Sequence, residues 1–231
     1  MPHDKHKHIY KPFDAELRSL KDQIKAMGAL VGSHIDDAME AVAGSDPEAA
    51  RRVIDADRAV NQLELAIDEQ CIRMLALRQP AASDLRFIAA SLKIVTDLER
   101  IGDLAVNMAE RVEVLSAEPP LRALSDLPRM AEAAQKMLAD VLDAFVTQDA
   151  AKAEAVRGVD GQIDKWMIEV FDEVRGQMQA DPTTVTRGIA TIFLAKHIER
   201  MADHVTNVAE MVVYLVRGQD VRHASSRGPT P

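Results

Sequence analysis

The feature of this sequence that most constrains its fold is an internal repeat. The segment Glu99–Glu110 recurs one hundred residues later as Glu199–Glu210, and Glu, Arg, Asp, Asn, Ala and Glu stand at the same relative positions in both copies. A weaker copy relates Asp57–Asn61 to Asp160–Asp164, at an offset of 103 residues. Similarity at a nearly constant offset indicates that one structural unit occurs twice in the chain.

The placement of proline divides the chain into helices. The Asp-Pro dipeptides at 46–47 and 181–182 are typical of a helix N-cap followed by proline in the first turn, where the missing N–H is not needed. Pro80 and the Pro-Pro pair at 119–120 are expected to end the helices that precede them. We therefore predict six helices near residues 12–44, 47–78, 82–116, 121–147, 149–179 and 182–217.

The repeat and the helix pattern together predict an all-α fold, a tandem repeat of two antiparallel three-helix bundles. Aromatic residues make up only 3% of the chain, which disfavours β-sheets. A unit of about 110 residues is large enough to bury its own core. The predicted parts are an N-terminal tail at 1–11, a first bundle at 12–118, a second bundle at 119–217 and a C-terminal tail at 218–231.

Charge and cysteine content limit the classes of function. The formal net charge of −9 disfavours binding to nucleic acid, because an acidic surface repels phosphates. The single cysteine, Cys71, cannot form an internal disulfide, and its apolar surroundings predict a buried, inert thiol. No signal peptide or apolar run of about 20 residues is present, so we expect a cytoplasmic protein that reaches a membrane only through its partners.

Each third helix of the repeat carries a narrow polar stripe opposite its apolar face. At 100° per residue, the repeated acids and amides of one copy lie within about 80° of one another. They are Glu99, Asp103, Asn107 and Glu110 in the first copy, and Glu199, Asp203, Asn207 and Glu210 in the second. These side chains should therefore point away from the main core.

The spacing of the acids indicates a possible metal site. Two acids four residues apart repel each other on an exposed helix, whereas a hard cation would use both as ligands. Further ligands would come from the second helix of each unit: Asp57, Asn61, Glu64 and Asp68 in the first half, and Asp160 and Asp164 in the second. A metal site and a solvated or arginine-paired surface remain open alternatives on spacing alone.

Two histidines lie near the second stripe. His204 follows Asp203 directly and could add a nitrogen ligand, but its angle on the helix places it outside the stripe. We expect His204 to support the ligands or to lie at an interface, and we expect His197 to be structural.

The same residues resemble the PhoU family of phosphate-transport accessory and regulatory proteins. The segment from Pro80 to Asp103 is similar to the most characteristic part of that family, and His197–His204 resembles its repeat counterpart. Phe13–Leu17 and Gly218–His223 are similar to the family's edges, so the resemblance covers nearly the whole chain.

The resemblance implies that surface acid motifs hold iron or zinc clusters. Carried over by position, the ligands are Glu99, Asp103, Glu199 and Asp203 on the third helices, and Asp57, Asn61, Asp160 and Asp164 on the second helices. Asn107, Asn207 and His204 are possible additional ligands. Two positions depart from the family pattern: Leu104 stands where members often have histidine, and Asn61 replaces a stronger oxygen donor.

The resemblance also implies a function. It predicts a negative regulator of phosphate uptake and of the phosphate-starvation response, acting between the ATPase subunit of a phosphate ABC transporter and a sensor histidine kinase. We expect a homodimer without an organic cofactor. No cationic phosphate-binding cradle is evident in the sequence, so we expect the transporter to sense phosphate.

The alternative is a metal-binding helical scaffold, or a carboxylate-bridged metal enzyme, unrelated to phosphate. Di-iron enzymes of the helical-bundle type use Glu-x-x-His pairs that point into the bundle. The sequence contains no such pair, and it contains no P-loop or nucleophile elbow. We therefore expect a protein that is not an enzyme.

Overall fold

The computed structural model describes residues 11–117, 119, 121–122, 126–219 and 221, and within these ranges the regular structure is entirely helical. The first half contains α1 (Lys11–Gly44), α2 (Pro47–Arg78) and α3 (Ala82–Ser116). The second half contains α4 (Leu127–Thr147), α5 (Ala150–Arg157), α6 (Asp160–Ala180) and, after a 3₁₀ turn at Pro182–Thr184, α7 (Val185–Arg217). The predicted all-α architecture is confirmed. The predicted tails lie almost entirely outside the described residues.

The helix predicted at 149–179 is in fact two helices. Gly158 separates α5 from α6, and its N–H donates to the carbonyl of Ala155 at 3.1 Å, in a 3₁₀-like turn. Val159 makes the same type of bond to Val156 at 3.0 Å. Glycine favours a break here because it loses more backbone conformational entropy in a helix than other residues do, and because it leaves the backbone exposed to water. The prediction of one continuous helix was wrong at this point.

Two other helix starts also differ from the predicted ones. Residues 121–122 precede α4, which begins at Leu127 with Pro128 in its first turn. The helix predicted to begin at 182 opens with the 3₁₀ turn, whose first N–H groups are satisfied by Asp181. Proline in a first turn is compatible with either geometry, so the sequence alone did not separate them.

The predicted N-caps are confirmed. Asp46 accepts hydrogen bonds from the backbone N–H groups of Glu48 at 2.9 Å and Ala49 at 3.1 Å. Asp181 accepts one from Thr183 at 3.0 Å. Asp149 caps α5 in the same way as Asp46 caps α2, 103 residues later in the chain. The sequence offset therefore corresponds to a structural equivalence.

The repeat is also visible in the pattern of burial. At an offset of 103, buried residues of α1 coincide with buried residues of α4: Ile24 with Leu127, Met27 with Met130, Val31 with Ala134, His34 with Met137 and Ile35 with Leu138. At an offset of 100, α3 and α7 agree in the same way: Ile94 with Leu194, Leu98 with Ile198, Ile101 with Met201 and Met108 with Val208. Equivalent positions of the two halves can therefore be compared residue by residue.

The two halves pack through their third helices. α3 lies along α7, and α1 lies along α4, so one continuous apolar core passes through both halves. Cys71 is fully buried in this core, and burial raises the pKa of its thiol to about 12, which confirms the predicted inert cysteine. None of the helices described above is both long and apolar enough to cross a membrane.

Candidate functional site

The acid stripe of α3 lies at the edge of the core, where α3 faces α2. The side chain of Glu99 is 16% exposed and that of Asp103 is 40% exposed. Arg100 binds both of them, with Nε 3.4 Å from Glu99 Oε2 and Nη1 3.2 Å from Asp103 Oδ2. The stripe is therefore neither fully solvated nor unpaired, because one exposed arginine partly neutralises the two acids.

Asp57 and Asn61 face this stripe from α2. Asn61 donates a hydrogen bond from Nδ2 to Asp57 Oδ2 at 2.8 Å. The other carboxylate oxygen of Asp57 is buried and accepts no hydrogen bond from any described residue. A Cβ placed on Gly102 would lie 3.4 Å from that oxygen, so the absence of a side chain at Gly102 lets α3 approach Asp57 closely.

Glu64 and Asp68 extend the acids along α2. Burial raises the pKa of Glu64. The carboxylates of Asp68 and Asp103 raise it further, whereas the positive charge of Arg100 lowers it. Burial also raises the pKa of Glu99, followed by repulsion from Asp103. These shifts show that the acids of α2 and α3 act on one another. We call Asp57, Glu64, Asp68, Glu99 and Asp103 the first acid cluster.

The second half repeats this arrangement between α6 and α7. Burial raises the pKa of Asp160 to about 6, and repulsion from Asp203, Asp164 and Glu199 adds to the shift. Partial loss of solvent and the Glu199 carboxylate raise the pKa of Asp203 in turn. One oxygen of Asp160 is buried and has no hydrogen-bond donor among the described residues. We call Asp160, Asp164, Glu199 and Asp203 the second acid cluster.

The cation next to the second cluster differs from that next to the first. Lys196 binds Glu199 at 2.6 Å, whereas no cation of the described chain lies at ion-pair distance from Asp160 or Asp203. Burial is the main cause of the raised pKa of Asp160, and the unbalanced negative charge around it adds to the shift.

Carboxylate oxygens in this density fit a hard cation or an oxygen-bridged metal cluster. In the described ranges, however, no three or more His, Cys, Asp or Glu side chains form a group positioned to hold a metal ion. The helices therefore bring the acids onto one face, within range of mutual repulsion but not of joint ligation. The metal ligands stay a prediction.

The additional ligand candidates are placed differently. His204 lies with Nδ1 2.8 Å from Asp97 Oδ1, and Asn207 donates from Nδ2 to the same oxygen at 3.2 Å. Both side chains therefore contact α3 of the first half rather than Asp203. Asn107 is half-buried on α3, and Glu210 accepts a hydrogen bond from Arg157 at 3.1 Å.

His197 is buried within the interface between the halves. Its ring stacks on Phe193 with centroids 6.2 Å apart. Burial lowers the pKa of His197 to about 4, and the positive charges of Arg111 and Arg200 add to the shift. A neutral imidazole with no link to the acid clusters is a packing residue.

Sequence reasoning missed two polar residues near the clusters. Asp97, which binds His204, has its partner 107 residues away, so no local pattern reveals it. His34 is 2% exposed on α1, neither of its ring nitrogens has a described partner, and Asp57 is the charged group that acts on it most strongly. The sequence did contain a signal for His34, because this histidine occupies a position of the apolar face of α1 at which α4 has Met137.

The fold and the site define an all-helical tandem-bundle protein with one carboxylate cluster between the second and third helices of each bundle. Comparison with known proteins gives the family. The PhoU domain model matches the chain twice, at residues 24–112 and 127–212. The chain therefore belongs to the PhoU family.

Individual relatives agree with this assignment over nearly their whole length. The chain is 41% identical over 218 residues to a phosphate-specific transport system accessory protein PhoU homolog of Pseudomonas putida, covering 94% of this chain and 85% of the relative. It is 36% identical to the accessory protein PhoU of Escherichia coli K12, covering 94% and 90%. The crystal structure of PhoU from Pseudomonas aeruginosa superposes with a TM-score of 0.86 at 40% identity, covering 90% of this chain and 100% of that one.

A more distant structure shows the same fold. The phosphate transport system regulatory protein PhoU from Streptococcus pneumoniae superposes with a TM-score of 0.84 at 35% sequence identity. That match covers 90% of this chain and 99% of the other. Helix arrangement and chain length are therefore shared across relatives with only about a third of their residues in common.

Proposed function

We propose that this chain is a negative regulator of phosphate uptake and of the phosphate-starvation response. It acts in the cytoplasm, without catalysis, as an adaptor between the ATPase subunit of a phosphate transporter and a sensor histidine kinase. The observation that carries the proposal is full-length similarity to proteins named as accessory proteins of the phosphate-specific transport system. The name of the Streptococcus pneumoniae relative, a regulatory protein, supports regulation in particular.

The acid clusters are the part of the surface that we assign to this role. In each cluster a buried carboxylate oxygen has no donor among the described residues, and burial together with neighbouring acids raises the pKa of Glu99 and of Asp160. An iron or zinc ion would bind Glu99 and Asp103 with Asp57 and Asn61 in the first half. In the second half it would bind Glu199 and Asp203 with Asp160 and Asp164. A bound metal would supply positive charge between the second and third helices, and the acids would have to move closer together to ligate it, since no three of the described ones are placed to do so.

An exposed apolar residue stands beside each cluster at an equivalent position. Leu65 is 67% exposed one turn after Asn61, and Ile168 is 62% exposed one turn after Asp164. Large apolar side chains this exposed at repeated positions favour contact with another protein. They support a partner-binding surface that consists of an acid cluster, stiffened by bound metal, and the exposed apolar residue beside it. A second copy of the chain could use the same residues, and we infer a homodimer on that basis.

Phosphate uptake in cells that lack this chain tests the regulatory role. We expect uptake from phosphate-rich medium to rise in the deletion strain and to return to normal with the wild-type gene. Substitution of four acids, Glu99, Asp103, Glu199 and Asp203, by alanine should leave uptake high although the protein accumulates and is folded. The matched control is Asp55→Ala with Glu69→Ala, which removes exposed acids from α2 outside the ligand set.

The outcomes separate the proposal from its alternative. Metal analysis of the purified protein accompanies the uptake measurement. Unchanged uptake in the deletion strain would remove the phosphate-regulatory role. Bound iron or zinc in that case would favour the second candidate, a metal-binding helical scaffold, for which the acid clusters are the supporting observation.

A further inference from the structure

A cleft of about 560 Å³ has a lining that shares no residue with the acid clusters. It lies where the first turns of α1 and α3 meet the α4–α5 turn and the end of α7. Its floor is apolar and includes Leu17, Phe87 and Leu215. Its walls carry Arg18, Lys21 and Arg86, three cations in a protein whose formal net charge is −9.

Among the described residues, one carboxylate, that of Asp84, lines this cleft. Asp84 is 8% exposed, so little of it reaches the cleft surface. Arg18 is exposed, and no acid of the described chain forms an ion pair with it or with Arg86. Arg18 and Arg86 therefore differ from arginines such as Arg78, Arg129 and Arg217, which are neutralised by an acid.

Arg86 is held in place from one side. Its Nη1 lies against Gly218, where a Cβ would be only 3.2 Å away, at the C-cap of α7. The negative end of the α7 dipole stabilises a cation there. Arg86 Nε is buried and donates no hydrogen bond to any described group. The guanidinium of Arg86 is therefore held at the cleft and still has N–H groups that can donate hydrogen bonds to a ligand.

Lys21 is half-buried, and its ammonium group donates to the carbonyl oxygen of Val146. Burial lowers the pKa of Lys21, because the charged form loses hydration that a single carbonyl replaces only in part. An anion next to Lys21 would favour its charged form.

The N-terminus of α3 lies at the same cleft, which Ser83 and Arg86 line. The helix has 35 residues, and its N-cap residue, Ala81, provides no side-chain cap. The first backbone N–H groups of a helix have no partner within it, and the positive end of the helix dipole attracts anions. Ser83, in this first turn, adds a hydroxyl group to the cleft lining.

The cations of the cleft are not repeated in the sequence of the second half. At the offsets of the repeat, Arg18, Lys21 and Arg86 correspond to Leu121, Leu124 and Thr186. Of these, Thr186 occupies an equivalent place in a helix, because α4 begins only at Leu127. The three cations thus belong to the first half only.

We propose that this cleft binds a phosphate group, held by Arg18, Lys21, Arg86 and the first-turn amides of α3. Arginine, lysine and helix-terminal amides are the donors that phosphate oxygens prefer. The cleft is larger than inorganic phosphate alone requires, and its apolar floor suits an organic part such as a nucleoside. Binding would allow the proposed regulator to sense phosphate groups itself. That role rests on the proposed function, whereas the binding does not.

Isothermal titration calorimetry of the purified full-length protein at low salt tests the site. The probes are inorganic phosphate and adenosine monophosphate, with sulfate as the control for charge and shape. We expect phosphate or the nucleotide to bind. Arg86→Gln should weaken binding at least about tenfold, because a charge-assisted contact to phosphate is lost.

Two further variants keep the test decisive if Arg86→Gln disturbs the end of α7. Arg18→Gln changes an exposed residue and should weaken binding at least about threefold with an unchanged circular dichroism spectrum. Lys25→Gln is the matched control for Lys21→Gln, because it lies one turn away on α1 in a different groove. Lys25→Gln should bind like the wild type, and Lys21→Gln should not.

The probes distinguish the sources of the phosphate group. Tighter binding of the nucleotide than of phosphate assigns a phosphorylated organic molecule, and equal binding assigns free phosphate. Binding of neither probe by the wild type, binding of sulfate with equal strength, or wild-type binding by Arg18→Gln and Lys21→Gln overturns the proposal. If a variant that does not bind phosphate in the cleft still controls phosphate uptake normally, the regulatory function stands and only the sensor role is removed.

Discussion

The Nδ1 atom of His204 lies 2.8 Å from Oδ1 of Asp97, and this contact joins α7 to α3 across the two halves of the molecule. Asn207 donates to the same oxygen at 3.2 Å. At the repeat offset of 100 residues, Asp97 corresponds to His197, and Leu104 corresponds to His204. The polar link therefore occurs once, although the helices that carry it occur twice.

Loss of the Asp97 carboxylate should weaken the packing of the halves. Asp97→Ala leaves two polar side chains without their acceptor in a partly buried place, and we expect it to lower the free energy of unfolding by about 1–2 kcal/mol. Urea denaturation measures this. In a double-mutant cycle with His204→Ala, the two effects should be less than additive. Full additivity would show that the two residues do not stabilise each other.

The second acid cluster should destabilise the metal-free protein. Because neighbouring acids and burial raise the pKa of Asp160 to about 6, its ionised form opposes folding above that pH. Asp160→Asn should raise the free energy of unfolding at pH 7.5 by up to about 3 kcal/mol, since each pKa unit corresponds to about 1.4 kcal/mol. The measurement is urea denaturation after dialysis against a chelator.

The same shift predicts how this gain depends on pH. A folded-state pKa raised above the unfolded value gives stability that is present at low pH and lost as the pH rises through about 6. The advantage of Asp160→Asn should therefore shrink between pH 7 and pH 4. Asp55→Asn, an exposed acid on α2, is the control and should change little. A gain that does not depend on pH would contradict the assigned cause.

His34 should be replaceable by methionine with a gain in stability. The imidazole is 2% exposed with no partner for either nitrogen in the described chain, and α4 has Met137 at the equivalent position. His34→Met removes unsatisfied polar atoms and should raise the free energy of unfolding by about 1–2 kcal/mol. The reciprocal change Met137→His should lower it by at least about 2 kcal/mol. A loss of stability in His34→Met would contradict the interpretation of His34 as an unsatisfied buried polar group.

His197 should make the protein acid-sensitive. Burial lowers the pKa of His197 to about 4, so the unfolded chain binds a proton here at a higher pH than the folded chain does. The resulting stability is present above pH 6.5 and lost as the pH falls toward 4, by about 2–3 kcal/mol in all. The difference between the pH profiles of wild type and His197→Leu isolates this contribution from the acid clusters, which titrate in the opposite sense.

The sequence predicted the parts of the fold that have a local cause. The Asp-Pro caps, the amphipathic faces and the repeated acids all depend on residues a few positions apart, and helix geometry converts such spacing into structure. The break at Gly158 was missed because a single glycine within a helical pattern is usually tolerated. Its hydrogen bonds to the preceding turn appear only in three dimensions.

The site was predicted less completely than the fold. Spacing placed Glu99 and Asp103 on one face, but it did not show Arg100 between them or the burial that raises the pKa of Glu99. The cationic cleft was missed for a stronger reason. Arg18 and Arg86 come together through the packing of α1 against α3, and neither belongs to a contiguous phosphate-binding motif.

The most direct test of the central claim is recovery of partners from membranes. The tagged full-length chain is incubated with detergent-solubilised membranes from phosphate-replete and phosphate-starved cells, and captured proteins are identified by mass spectrometry. We predict capture of the ATPase subunit of a phosphate transporter and of a sensor histidine kinase, reduced when Glu99, Asp103, Glu199 and Asp203 are replaced by alanine. Capture of neither protein from either membrane preparation would contradict the adaptor role.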